Sequence, residues 1–476
     1  MLKKKILYYN WVPFDNELGL GGGVSVYIKN IIGEVLKHDK YSIYYLSSGY
    51  LYNPLKHESY IEKCSNIYGK KCKTFQLINS AVIGPLGNLA WNIKKYINDE
   101  DTYKIIAEFM KKEGPFDIVH MFNIGGFGQS ILTLKKEFPK TKFIFDLHNY
   151  NSICMNSYLF NHKKSQLCDN FCEGKSCIEC YSNLKIQQNL YKDRVKKYWS
   201  THIWDKIKYK IKNCFKNNYK NNYKEYYVCD YKKNLSTAQD FRIYRENNID
   251  YLNKYFDKII AVSQRVKEIA EKYGIDKNKL IVSYIGTKFA DIQQQPRDVN
   301  VNKNLKIAYL GYANVLKGFY FLLEALSKLP KEIAEKIEIV LAAKNIKEEI
   351  VLTKLKGFAS VKIFDGYNHD NLDSILKDVD LGIIPVLWED NLPQVAIEMV
   401  SKGIPILCRD LGGASELSKS KQFIFKTEEE FINKLIHFTK DKASLHEYWN
   451  KHIPLTSMEQ NYMKLDEIYQ NLLMEN

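Results

Sequence analysis

Short runs of β-branched and aromatic residues alternate with longer stretches of helical periodicity along almost the whole chain. In the first half "KKILYYN", "YSIYYLSS", "KTFQLIN", "DIVHMF" and "KFIFDLHN" predict strands, each short, apolar and followed by polar residues. "KIIAVS", the helical "QRVKEIAEKYG" closed by Gly274, and "KLIVSYIG" read as a strand–helix–strand unit. The polar stretch "TKFADIQQQPRDVNVNKN" has the composition of a linker. Beyond it the alternation restarts with "LKIAYLGY", "KIEIVLAA", "VKIFDGY", "DLGIIPV" and "GIPILC". The tail "TSMEQNYMKLDEIYQNLL" predicts an amphipathic helix, with Thr456 and Glu459 as capping box and Leu465, Ile468 and Leu472 on the apolar face. No repeat of solenoid length is present.

Strands alternating with helices of this length imply parallel sheets covered on both faces. A chain of 476 residues is also too long for one ordinary core. The expected fold is therefore α/β, two doubly wound Rossmann-like domains facing a cleft, with the C-terminal helix packing back on the N-terminal domain. The expected bounds are 1–286 for the first domain, with an insertion at about 151–235, then 287–304 for the linker. Residues 305–445 form the second domain and 446–476 a C-terminal helical segment. Ligands of such sheets sit beyond the carboxyl ends of the strands.

"LWEDNLPQVAIEMVSKGIPIL" lies at one such end and holds three acids, Glu389, Asp390 and Glu398. Pro393 suits a first helical turn, Asp390 or Asn391 can cap it, and Gly403 stops the helix. A helix N-terminus in a cleft offers N–H groups and a positive dipole end to a diphosphate, which makes Asn391, Gln394 and Val395 candidate donor contacts. Glu398 can accept two hydrogen bonds, as a ribose diol requires, although a helix acid paired with a lysine has the same pattern. In "YLGYANVLKG", Gly311 ends a strand and Lys317 precedes a helix, where it can face a leaving diphosphate. Gly22 and Gly23 belong to a glycine run after the first strand that permits close backbone approach. His148 follows another strand, and His120 is a weaker candidate of the same kind.

An acid, seven residues, a glutamate and then "xxxxGxP" resembles the signature of retaining glycosyltransferases of the GT-B fold, in the broad family 4 group (glycosyl transferases group 1). Asp390 and Glu398 have that spacing, whereas Glu389 is one residue off and is expected to tolerate replacement. The resemblance implies that Glu398 binds the nucleotide ribose and that Asp390, one methylene shorter than the usual glutamate, contacts the donor sugar. Gly412, Gly413 and Glu416 continue the pattern. Lys317 matches the lysine of the family's "GRxxxxKG", while Tyr312 replaces the arginine. The glycine run resembles the family's glycine loop. His148 stands where the family has His-Asp, with Asn149 in place of the aspartate, and the family's Asn-Gly before the linker reads Ile285-Gly286 here. The implied catalytic set is Asp390, Lys317 and His148, with Glu398, Gly311, Asn391, Gln394, Val395, Gly22 and Gly23 binding the donor. The implied reaction needs no catalytic metal and moves a sugar, with retention, from a UDP- or GDP-sugar to a glycan or lipid-linked oligosaccharide. A bacterial surface polysaccharide is the expected product. A nucleotide-sugar epimerase is the alternative within the same fold.

Two features fall outside that resemblance. Cys168, Cys172, Cys177 and Cys180 have a CxxxC…CxxC spacing that suits a structural zinc, though a cysteine-rich loop without metal explains it as well. Residues 183–234 carry 14 Lys/Arg against 4 Asp/Glu, much of the net charge of +15. Within them Ile203, Ile207, Ile211 and Phe215 recur four apart among lysines, a pattern that fits an anionic membrane surface or a solvated helix. A basic nucleic-acid-binding protein would share this charge but leaves the acids and Lys317 unexplained, so no nucleic-acid partner is expected. No apolar run is long enough to span a bilayer and the N-terminus reads as a strand, which implies a cytoplasmic protein, peripheral at most on the inner face of the plasma membrane.

Overall fold

The computed structural model describes residues 3–15, 21–84, 93–182, 190–202, 236–288, 290, 296–418 and 420–475. The chain forms two compact units. Unit 1 holds Met1–Ala261, Lys267–Val282 and Tyr462–Asn476, and unit 2 holds Val262–Val266 and Ser283–Asn461.

Unit 1 is built on eight strands: β1 (Lys4–Tyr9), β2 (Tyr41–Ser48), β3 (Tyr60–Cys64), β4 (Cys72–Ile78), β5 (Ile118–Met121), β6 (Lys142–Leu147), β9 (Lys258–Ala261) and β10 (Leu280–Val282). Their order across the sheet is β10-β9-β6-β5-β1-β2-β4-β3. Neighbours run parallel except β3, which pairs antiparallel with β4 at the edge. The strands predicted from apolar runs are present, and Tyr41–Ser48 coincides with its predicted stretch. The edge strand was not predicted, because Tyr60–Cys64 is only half-buried and lacks the continuous apolar signature of an interior strand. A two-stranded hairpin, β7 (Phe160–Asn161) with β8 (Gln166–Leu167), lies in the predicted insertion.

Unit 2 carries β11 (Leu305–Tyr312), β12 (Ile337–Lys344), β13 (Ser360–Asp365), β14 (Leu381–Ile384), β15 (Ile406–Arg409) and β16 (Ile424–Phe425). The order is β13-β12-β11-β14-β15-β16, all parallel. Each unit is thus doubly wound, as the alternating pattern predicts. Central strands such as β12 and β14 are buried on both faces, which is why they read as unbroken apolar runs.

The last helix, Met458–Met474, belongs to unit 1 from Tyr462 onward. Leu465, Ile468 and Leu472 are buried as expected, together with Tyr469. Its capping box is one residue later than predicted: the Ser457 N–H donates to Gln460 Oε1 (2.9 Å) and the Gln460 N–H to Ser457 Oγ (3.1 Å). Both Thr456–Glu459 and Ser457–Gln460 satisfy the sequence rule. Among the described residues no helix is long and apolar enough to cross a membrane.

Candidate active site

In unit 2 the chain leaves β11 toward β12 on one side and β14 toward β15 on the other, so the carboxyl ends of β11 and β14 flank a topological switch point. The loops there are fixed by backbone contact. Gly318 has φ +72°, and a Cβ on it would stand 1.7 Å from the Pro385 carbonyl oxygen just after β14. Gly412 has φ +69°, and its Cβ would stand 1.9 Å from the carbonyl oxygen of Asp390. Only glycine fits either position. The Gly413 N–H also donates to the Asp390 carbonyl (2.8 Å).

This scaffold brings Lys317 and Asp390 together, with Nζ 2.5 Å from Oδ2. The ammonium also lies 5.5 Å from the centre of the Trp388 ring. Asp390 and Asn391 are buried, while Gln394 and Val395 are half-buried at the start of the helix Gln394–Ser401. The predicted side-chain cap is absent. Pro393 is the N-cap and makes no side-chain cap hydrogen bond, and the Asp390 carboxylate goes to Lys317. The helix stops at Gly403 as expected, with φ +73°. At the end of β11 no neighbouring atom lies within 4 Å of a Cβ built on Gly311, so the backbone is open to a ligand there. Tyr312, the last residue of β11, is exposed.

Glu398 is buried and accepts the Tyr367 hydroxyl at 2.6 Å. Burial and the adjacent carboxylate push the Tyr367 hydroxyl far above its ordinary pKa, so it remains the proton donor. Tyr367 follows β13, and nothing in the sequence signals this bond.

The expectation that Glu389 tolerates replacement is overturned. Glu389 is buried and receives Arg265 through both Nε (2.9 Å) and Nη2 (2.5 Å), and it also accepts the Gly412 N–H (2.7 Å). It ties the acid loop to the glycine loop beneath Asp390. Glu416 accepts the N–H groups of Gln264 (3.0 Å) and Arg265 (2.6 Å) and the Tyr284 hydroxyl (2.6 Å), capping the helix Gln264–Lys272.

In unit 1, Gly22 and Gly23 form the first turn of the helix Gly22–Lys37 rather than a loop before it. His148 is buried just after β6, its ring 5.0 Å from that of Tyr27 on this helix. Asp146 sits between two imidazoles, with Oδ1 2.7 Å from His120 Nε2 and Oδ2 3.4 Å from His148 Nε2. His120 Nδ1 is 2.7 Å from the Tyr469 hydroxyl, which is 3.1 Å from that of Tyr8. Burial alone would raise Asp146, but the flanking histidines outweigh it and hold the carboxyl below its ordinary range. The i, i+2 spacing of Asp146 and His148 at a strand end was the available signal.

Of the four cysteines read as a metal set, Cys168, Cys177 and Cys180 lie near one another and near Cys154, while Cys172 is exposed. The basic helix with Ile203, Ile207, Ile211 and Phe215 lies outside the described residues.

Residues 291–454 match the family described as glycosyl transferases group 1. No curated protein matches the sequence. Among solved structures, the fold is similar to sucrose-phosphate synthase from Thermosynechococcus elongatus at 11% identity and TM-score 0.59, covering 100% of both chains. A UDP-forming α,α-trehalose-phosphate synthase from Burkholderia xenovorans in complex with glucose-6-phosphate is similar at 10% identity and TM-score 0.56, over 98% of this chain and 100% of that one. The Anabaena protein HepE in complex with UDP and glucose is similar at 14% identity and TM-score 0.52, over 98% and 99%. At these identities the likeness is one of fold, the GT-B fold with two Rossmann-like domains.

Proposed function

We propose that this GT-B chain, a glycosyl transferases group 1 match over residues 291–454, is a retaining glycosyltransferase using a nucleoside-diphosphate sugar, UDP- or GDP-linked. The observation that carries the reading is the Lys317–Asp390 pair at the switch point, beside a helix whose N-cap, Pro393, makes no side-chain cap hydrogen bond. In the proposed reaction the diphosphate takes Lys317 from Asp390 and lies against the N–H groups of Gln394 and Val395. Asp390 is then released toward the sugar hydroxyls, and Glu398 with Tyr367 holds the ribose. The acceptor oxygen bonds to the anomeric carbon on the face from which the carbon–phosphate-oxygen bond breaks. Its proton passes to the departing phosphate, so configuration is retained and the protein contributes position and positive charge, without a catalytic metal.

The test is thermal stabilisation by UDP, GDP and their sugars. One nucleotide series is expected to raise the melting temperature of the wild-type chain, and Glu398→Ala is expected to abolish the rise. Indifference of the wild type to every nucleotide would overturn the reading.

A glycan or lipid-linked oligosaccharide in bacterial surface polysaccharide synthesis is the acceptor we favour. The support is the charge of residues 183–234, 14 Lys/Arg against 4 Asp/Glu, which suits a cytoplasmic chain held on an anionic membrane face. Co-sedimentation with phosphatidylglycerol-containing liposomes is expected at low salt and should disappear at high salt. No pelleting at low salt sinks the membrane part.

A further inference from the structure

Between β6 and the helix Ala238–Tyr255 the chain makes a small turn–hairpin–helix assembly. A turn closed by the Cys154 N–H on the Tyr150 carbonyl (2.7 Å) is followed by the β7–β8 hairpin. Cys168 leaves the hairpin with its N–H on the Leu159 carbonyl (2.7 Å), and the short helix Lys175–Ser182 comes next. Strands of two residues and a helix of eight make few contacts of their own; Ile153, Met155, Leu159 and Phe160 are buried, and the assembly is tied to the helix Ala238–Tyr255 through Tyr244 and Arg245.

Each piece presents cysteine to one region. Cys154 is in the turn, Cys168 is at the hairpin exit, and Cys177 and Cys180, three apart, share a helix face. The Asn156 side chain spans two of the sulfurs: its Oδ1 accepts the Cys154 thiol at 2.9 Å and its Nδ2 donates to Cys180 Sγ at 3.4 Å. The His162 N–H also donates to Cys180 Sγ (3.5 Å). N–H donors aimed at sulfur are the outer support a metal-bound thiolate takes. Cys154 and Cys180 are neighbours of both Cys168 and Cys177. None of these cysteines is in a disulfide.

Arg245 is a second, independent pointer. Its side chain is buried, with the guanidinium over the Phe171 ring at 3.8 Å and Nε donating to the Ile153 carbonyl (2.7 Å). Among the described residues no carboxylate lies within 4 Å of it, yet it is an electrostatic neighbour of Cys168 and Cys177. A buried cation without an acid calls for another anion. Four thiolates around a divalent ion carry a net charge of about −2, by simple addition of the ligand charges at a Cys₄ site.

We propose that Cys154, Cys168, Cys177 and Cys180 bind a structural zinc ion, with Arg245 as its counter-charge, and that Cys172 is not a ligand. Cys172 stands exposed in a turn at φ +48° and takes part in none of these contacts. No three of the sulfurs yet lie within 4.8 Å of one another. Binding therefore draws them inward by rotation about the Cα–Cβ bonds, toward the ~2.3 Å metal–sulfur separation of a tetrahedral site. The site is separate from the sugar-transfer reading and is tested without measuring activity.

The full chain purified without chelator is expected to contain about one zinc per molecule by elemental analysis. Cys172→Ser should keep that ratio and Cys154→Ser should lose it. If Cys154→Ser does not fold, cobalt-loaded wild type and Cys172→Ser decide: identical tetrahedral thiolate absorption supports the assignment. Metal-free wild type, disulfides among these cysteines, or loss of zinc in a folded Cys172→Ser would overturn it.

Discussion

Lys317→Ala is expected to lower kcat/KM for sugar transfer by roughly 100- to 1000-fold, the usual loss when one preorganised charge at a leaving group is removed. In the proposed reading Lys317 is the cation that meets the leaving diphosphate, while Tyr312 nearby is uncharged and Arg265 is committed to Glu389 through two hydrogen bonds. In the proposed reaction negative charge accumulates on the phosphate oxygen as the glycosidic bond breaks, so the loss should fall mainly on kcat. Lys317→Arg should recover part of the rate. Steady-state kinetics on a variant with unchanged circular dichroism make the measurement, and a kcat/KM within tenfold of wild type would remove Lys317 from the reaction.

The largest stability effect is expected at Asp146. Asp146→Ala strips the acceptor from His120 Nε2 and leaves two histidines facing a cavity inside the unit 1 sheet. Breaking a fully buried pair of this kind costs about 3–5 kcal/mol. Because the folded carboxyl is held below its unfolded value, its contribution is fully present above the unfolded pKa of about 4 and is lost as pH falls through the lower folded value. The gap in melting temperature between wild type and Asp146→Ala should therefore be widest near neutral pH and narrow at the acid end. A gap that is small at neutral pH, or that widens on acidification, contradicts this account of the buried carboxylate.

The two sheets were legible because their interior strands are buried on both faces and so write themselves as apolar runs. The pairing of Lys317 with Asp390 was legible in a weaker way. Spacing and resemblance marked each residue separately, and only the fold closed the separation of 73 positions between them. Elements stabilised by partners rather than by their own pattern were not legible. The half-exposed β3 relies on β4 for its pairing, and Glu389 takes its importance from Arg265, 124 residues away. Tyr367, after β13, meets Glu398, on the helix after β14, although β12 and β11 separate those two strands in the sheet. The cysteines show the same limit. In the proposed zinc set Cys154 replaces Cys172: Cys172 fits the sequence spacing better but is exposed at φ +48°, while the Cys154 N–H closes a turn on the Tyr150 carbonyl.

The contact of Tyr469 with His120 spans 349 residues and has a consequence for how the protein is made. As the chain leaves the ribosome, the strands of unit 1 emerge early, with Tyr8, His120 and Asp146 already in them. The hydroxyl that completes their hydrogen-bonded chain arrives only with the final helix, after all of unit 2 has been synthesised. Domains ordinarily finish folding in the order of their synthesis. Here the first unit to appear is the last to be completed, and a nascent chain stalled before Tyr469 would hold an ionisable interior still waiting for its plug.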